Sequence, residues 1–129
     1  MIIYCDMDMV LCNFLKGALD VTGEPFPDKT GKLSKDEKKA IISSKKDFWD
    51  TLEWMPDGKK LWAHITKGGA DVRLLSAYAE WDSNCRRGKK VWVARNLKPK
   101  PNKIHLVRRE QKKDYALSLI HISEPTRQH

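Results

Sequence analysis

Apolar runs that stop abruptly at acidic or small polar residues alternate along the chain with stretches whose apolar positions recur at helical spacing. Ile2-Ile3-Tyr4-Cys5 is a short β-branched and aromatic run ended by Asp6-Met7-Asp8, which predicts a buried strand delivering carboxylates at its C-terminal end. Val10, Leu11, Phe14, Leu15 and Ala18 then follow a helical period from Val10 to Leu19, until Gly23-Glu24-Pro25-Phe26-Pro27 breaks it. Ser34, three residues before Glu37, forms a capping-box pattern for a helix running through Ile41 and Ile42. Asp57 is placed to cap a helix that turns Leu61, Trp62 and Ile65 inward before Gly68-Gly69. A second strand is expected over Asp71–Leu75, ending in Ser76-Ala77-Tyr78. A helix follows over Gly88–Leu97, closed by Pro99 and Pro101, and a third strand over Ile104–Val107 enters the basic segment Arg108–Lys113.

Strands that alternate with helices argue for an α/β fold, a Rossmann-like parallel sheet flanked by helices. The segment between the first helix and the second strand is too long for a plain crossover, so an insert is expected there. At 129 residues the chain suits a single domain. Its 40% hydrophobic and 33% charged content excludes collagen-like, mucin-like and wholly disordered polymers. No apolar run reaches the roughly 18–20 residues that span a bilayer, and Met1–Val10 lacks the pattern of a secretory leader. Cys5, Cys12 and Cys85 are odd in number and scattered, which supports neither a disulfide framework nor a zinc cluster. The expectation is a soluble cytoplasmic protein without a membrane partner.

Lys and Arg number 25 against 17 acidic residues, and the net charge of +8 favours anionic partners while also serving solubility. The lysines between Asp28 and Lys46 read as a solvated helix face. Arg86-Arg87 and Lys89-Lys90 either attract phosphate or solvate the start of a helix. Phe48, Trp49 and Trp54 are core residues or, alternatively, walls of a pocket for a flat base. His64 and His105 have no partners at metal-ligand spacing. Asp6 and Asp8 are the chemically distinctive pair: like charges held close require a cation, a donor network or a raised pKa, and a divalent metal is the simplest solution.

Asp6-Met7-Asp8-Met9-Val10-Leu11, Leu74-Leu75-Ser76 and a lysine after the third strand together resemble the haloacid dehalogenase-like phosphohydrolase superfamily. Phe48-Trp49-x-x-Leu52 followed by Met55-Pro56, and Lys90-x-Trp92-Val93-x-x-x-Leu97, are similar to its branch of 5'-nucleotidases and 5'(3')-deoxyribonucleotidases. The resemblance covers roughly Met1 to Ala116 and implies a phosphohydrolase core over 1–116 with a small helical cap at about 20–54. It implies Asp6 as the nucleophile forming an aspartyl-phosphate, Asp8 as the acid and base, and Ser76 as a hydrogen-bond donor to a phosphoryl oxygen. Lys112, with Lys113 as the alternative, neutralises charge at the phosphoryl group. Mg²⁺ is the implied cofactor, held by the Asp6 carboxylate and the Asp8 backbone carbonyl. Phe48, Trp49, Ala77 and Lys113 are the expected substrate-binding residues.

The implied reaction is hydrolysis of nucleoside monophosphates. Alternatives are a phosphatase acting on polynucleotide ends, which the positive charge suits, and a non-catalytic basic module for phosphate or nucleic acid. Two departures from the family pattern stand out. Met9 occupies a loop position where the family commonly has glycine, so a positive φ there would strain it. The family's further metal ligand, from an acidic pair ending a fourth strand, has no counterpart after Tyr115. Leu117–His129 instead resembles translated sequencing-adapter read-through. Residues 117–129 are therefore expected to be a non-native or disordered tail, with the last core strand missing; the alternative is an ordinary terminal strand and tail.

Overall fold

The computed structural model describes residues 1–115 and 120–122. Four parallel strands form one sheet in the order β3-β2-β1-β4, with β1 at Ile2–Cys5, β2 at Asp71–Ala77, β3 at Lys103–Val107 and β4 at Ile120–Ile122. The helices are α1 (Phe14–Thr22), α2 (Lys35–Ser44), α3 (Gly58–Thr66), α4 (Cys85–Asn96) and the short α5 (Arg109–Lys112), which continues into a 3₁₀ turn at Lys113–Tyr115. This is the parallel α/β arrangement that the alternating pattern predicts. Among the described residues no helix is long and apolar enough to cross a membrane.

Cys5 pairs with Leu74, which sets Ser76 and Ala77 level with the Asp6–Asp8 loop, and Ser76 pairs in turn with Leu106. The C-terminal ends of three adjacent strands thus meet at one edge, where parallel sheets present their ligand-binding loops. Beneath that edge Met7, Leu11, Leu74, Trp62, Trp92 and Leu97 are buried in one continuous core.

Three helix positions differ from the sequence pattern for identifiable reasons. α1 begins at Phe14 rather than Val10 because the N–H groups of Val10, Leu11 and Cys12 all converge on the Met7 carbonyl, wrapping a turn around it. Asn13 then caps the helix by accepting from the Lys16 N–H at 3.2 Å. α4 begins a turn earlier than Gly88 because Gly88 lies inside it at a close crossing: a Cβ there would stand 2.6 Å from the Cβ of Trp49. Lys38 is not on a solvated face. It is fully buried, donating to the carbonyls of Pro25 and Asp28, with Glu24 at 3.7 Å, and so ties α2 to the loop before it.

The expectation of a missing last strand is corrected. Ile120–Ile122 pairs in parallel with β1, Ile3 opposite Ile120 and Cys5 opposite Ile122, on the side of β1 away from β2. Two β-branched isoleucines suit these three residues to extended backbone. The rest of the 117–129 tail lies outside the described residues.

Candidate active site

Asp6 follows β1 directly and is buried. Its Oδ1 accepts the Met7 N–H at 2.8 Å, and its Oδ2 accepts the Lys112 ammonium, carried by α5 just beyond β3. Of the two candidate lysines, Lys112 reaches Asp6; Lys113, one residue further, is exposed and outside the cluster.

The second carboxylate has a partner that sequence reasoning missed. Lys89 of α4 is only 1% exposed and donates to Asp8 Oδ2 at 3.0 Å, to the Ser76 hydroxyl at 2.6 Å and to the Ala77 carbonyl at 2.9 Å. Burial disfavours its charged form, but the Asp8 carboxylate outweighs that and holds Lys89 above its ordinary pKa. Neither expectation for Lys89 survives: it is neither a solvated helix start nor an exposed phosphate attractor. Ser76 is fully buried, with its hydroxyl engaged by Lys89. Asp8 Oδ1 is buried without a hydrogen-bond partner.

Beside Asp8 opens a cleft of about 370 Å³. Its walls are aromatic, formed by Phe14, Phe26, Trp49, Tyr78 and Trp81, and Ala77 contributes to the floor. Trp49 stacks on Phe14 at 5.4 Å between ring centroids, and its indole N–H donates to Asp82 Oδ2 at 2.7 Å, which fixes the wall. Lys35, the first residue of α2, and Arg109, the first of α5, add positive charge to the lining. The 20–54 segment therefore supplies Phe26, Lys35 and Trp49, facing residues from the strand ends.

The structure brings together Asp6, Asp8, Ser76 and Lys112, and places Trp49 and Ala77 on the adjoining cleft. Phe48 is corrected: it is 2% exposed and packs edge-on against Phe14 and Trp49 in the core. Trp54 is likewise away from the cleft, tilted against Trp92 at 4.9 Å. Phe14, Phe26 and Trp81 carried no signal beyond hydrophobicity, because their common wall arises only when α1, the loop after it and the loop after β2 meet.

The donors at Asp6 and Asp8 are oxygens, the ligand type of hard divalent cations. Asp6, buried at the end of β1, offers hard carboxylate oxygens, and the loop that follows carries the Asp8 backbone carbonyl. No group of three or more His, Cys, Asp or Glu residues assembles among the described residues. Hard carboxylate oxygens suit Mg²⁺, which takes one or two carboxylates together with water and substrate phosphate. No protein-family model matches the chain, and no curated protein matches it.

Proposed function

We propose that the protein is a Mg²⁺-dependent phosphomonoesterase of the haloacid dehalogenase-like type, hydrolysing nucleoside monophosphates. One observation carries this reading: Asp6 and Asp8, each paired with a lysine from a different helix, converge at the strand ends beside an aromatic-walled cleft. A carboxylate held by a lysine at a strand end suits nucleophilic attack on phosphorus, and a neighbouring carboxylate on the cleft suits proton transfer. Flat aromatic walls suit a nucleobase.

In this reading an Asp6 oxygen forms a bond to phosphorus while the bond from phosphorus to the ester oxygen breaks. The departing oxygen takes a proton from Asp8, leaving an aspartyl-phosphate and a carboxylate. Asp8 then takes a proton from water as the water oxygen attacks phosphorus; phosphate leaves and Asp6 is restored. Lys112 offsets negative charge where Asp6 and the phosphoryl group meet. Mg²⁺ held by Asp6 and Asp8 would supply Lewis-acid polarisation of the phosphoryl oxygens.

The test is phosphate release from deoxynucleoside 5'-monophosphates with Mg²⁺ in excess. Asp6→Asn, nearly isosteric at a strand end, is expected to abolish release while preserving the circular dichroism spectrum. Comparable turnover in that variant removes Asp6 from its role. The net charge of +8 favours a second reading, action on polynucleotide ends. Single-strand binding that weakens steeply with salt, with phosphate released from oligonucleotide ends in preference to mononucleotides, would select it.

A further inference from the structure

Lys89 presents a physical problem that the proposed chemistry leaves open. Its ammonium is buried, and such a charge persists only when fully partnered. Its three partners come from the loop after β1, from β2 and from the end of β2, so a single side chain fastens two adjacent strand ends together. With its three donors occupied and almost no surface exposed, Lys89 does not meet substrate. If packing were all it supplied, an apolar side chain of similar volume would serve as well or better.

Asp8 is the partner that matters, because it lies on the cleft. It belongs to an irregular loop, not to a strand or helix, and the next residue, Met9, has a φ of 63°. Backbone hydrogen bonds hold the loop itself, from the Met9 N–H to Cys12 and from Val10, Leu11 and Cys12 to Met7, so it is the direction of the Asp8 side chain that a partner must set. α4 is a helix of 12 residues, and its close crossing with the chain at Trp49, made possible by Gly88, sets the depth at which the next residue emerges. Oδ1 of Asp8 is sealed from solvent, so Oδ2 is the oxygen left for exchange with the cleft, and Oδ2 is the one Lys89 grips. The same ammonium lies 5.6 Å from the Trp49 ring centroid, so the anchor also registers the carboxylate against the cleft wall.

We propose that Lys89 is a positioning residue that acts through Asp8, holding the carboxylate where it exchanges a proton with the ester oxygen of the substrate. The inference rests on the phosphomonoesterase reading above.

The experiment compares two esters, a deoxynucleoside 5'-monophosphate, whose leaving oxygen must be protonated, and 4-nitrophenyl phosphate, whose leaving group departs without a proton. In single-turnover measurements of leaving-group release, the step that precedes attack by water, Lys89→Met is expected to slow the nucleotide by about 100-fold or more, the scale of acid–base assistance, and the aryl ester by less than about 10-fold, with the half-saturating substrate concentration nearly unchanged on both. In an Asp8→Asn background the same change is expected to cost no further turnover. Equal losses of leaving-group release on the two esters, a loss confined to the half-saturating concentration, or an additional 10-fold loss in the Asp8→Asn background would overturn the proposal. Should Lys89→Met alone fail to fold, the double variant, which removes both members of the buried pair, is compared with Asp8→Asn under the same criterion. Wild-type protein without Asp6-dependent turnover on either ester would overturn the phosphomonoesterase reading itself. Active wild type with an unselective Lys89→Met would overturn only the role of Lys89.

Discussion

Met9 is the only non-glycine described residue with a positive φ, and the left-handed region costs a residue bearing a Cβ about 1–2 kcal/mol. The loop keeps it there because the Met9 N–H donates to the Cys12 carbonyl at 2.7 Å while three further N–H groups close on the Met7 carbonyl. Met9→Gly is therefore expected to raise stability by up to about 1 kcal/mol, less the entropy that glycine loses on folding. A urea denaturation midpoint that falls on this substitution would show that the Met9 side chain contributes more than the strain removes. Asp6 and Asp8 were legible as a pair because two carboxylates held close at the end of an apolar run need a compensating partner, though such pairs also cap helices or sit on turns, and Met9 was legible as the misfit beside them. Lys89 and Lys38 were not. Each stands in a lysine-rich stretch that reads as solvated, and only the crossing of α4 with Trp49, or the folding of the Pro25–Asp28 carbonyls onto α2, turns one lysine inward.

α2 shows how a local signal reaches the cleft. Ser34 accepts the Glu37 N–H at 3.0 Å while the Glu37 carboxylate accepts the Ser34 N–H at 2.9 Å, a reciprocal cap visible in the sequence and present in the fold. The residue that follows the cap, Lys35, lines the cleft. Ser34→Ala is expected to cost about 1 kcal/mol in chemical denaturation and to raise KM for a nucleotide with little change in kcat, since the helix start that carries Lys35 loosens. A raised kcat with unchanged KM would instead disconnect α2 from substrate binding. Elements whose ends are fixed by caps and strand patterns were legible: β1, β2, β3 and the start of α2 lie where the pattern puts them, within a residue or two. The start of α1 was displaced by the turn around the Met7 carbonyl, and the start of α4 by a glycine that serves a helix crossing rather than a helix end. β4 was set aside in favour of a non-native tail because Leu117–His129 resembles adapter read-through, and its place depends on the open side of β1.

Across the whole molecule, burial of ionisable groups makes stability depend on pH in a definite direction. Cys5 is pushed up to about 12 and Cys85 to about 11 by burial, and Cys12 is raised well above its ordinary 9.0 by burial and the nearby Asp8 charge. Lys89 is held above its ordinary 10.5 despite its burial, because of Asp8. All four have folded-state values above their unfolded ones, so the stability they contribute is fully present below the unfolded pKa and is lost as pH rises toward the folded one. The thiols act first: above about pH 9 the unfolded chain sheds protons that the folded protein retains, and each thiol so affected costs about 1.4 kcal/mol per pH unit. Lys89 adds to the loss above about 10.5. On the acid side His105, lowered chiefly by burial and also by Arg73 and Lys103, contributes stability present above 6.5 and lost as pH falls below it. Its ring is wedged between Tyr4 at 5.8 Å and Tyr115 at 5.1 Å, with Nε2 buried and unpartnered, so protonation there gains no hydrogen bond. The urea midpoint is accordingly expected to form a plateau from about pH 6.5 to pH 9 and to drop between pH 9 and pH 11. Cys5→Ala and Cys85→Ala together are expected to make the alkaline slope shallower. Thiol reagent at pH 8 should label the native protein only as fast as it opens, since buried neutral thiols are poor nucleophiles. A midpoint that holds constant to pH 11, or rapid labelling of all three cysteines in the folded state, would mean that the thiols are not sealed around the carboxylate pair as the packing of Cys5, Cys12 and Cys85 requires.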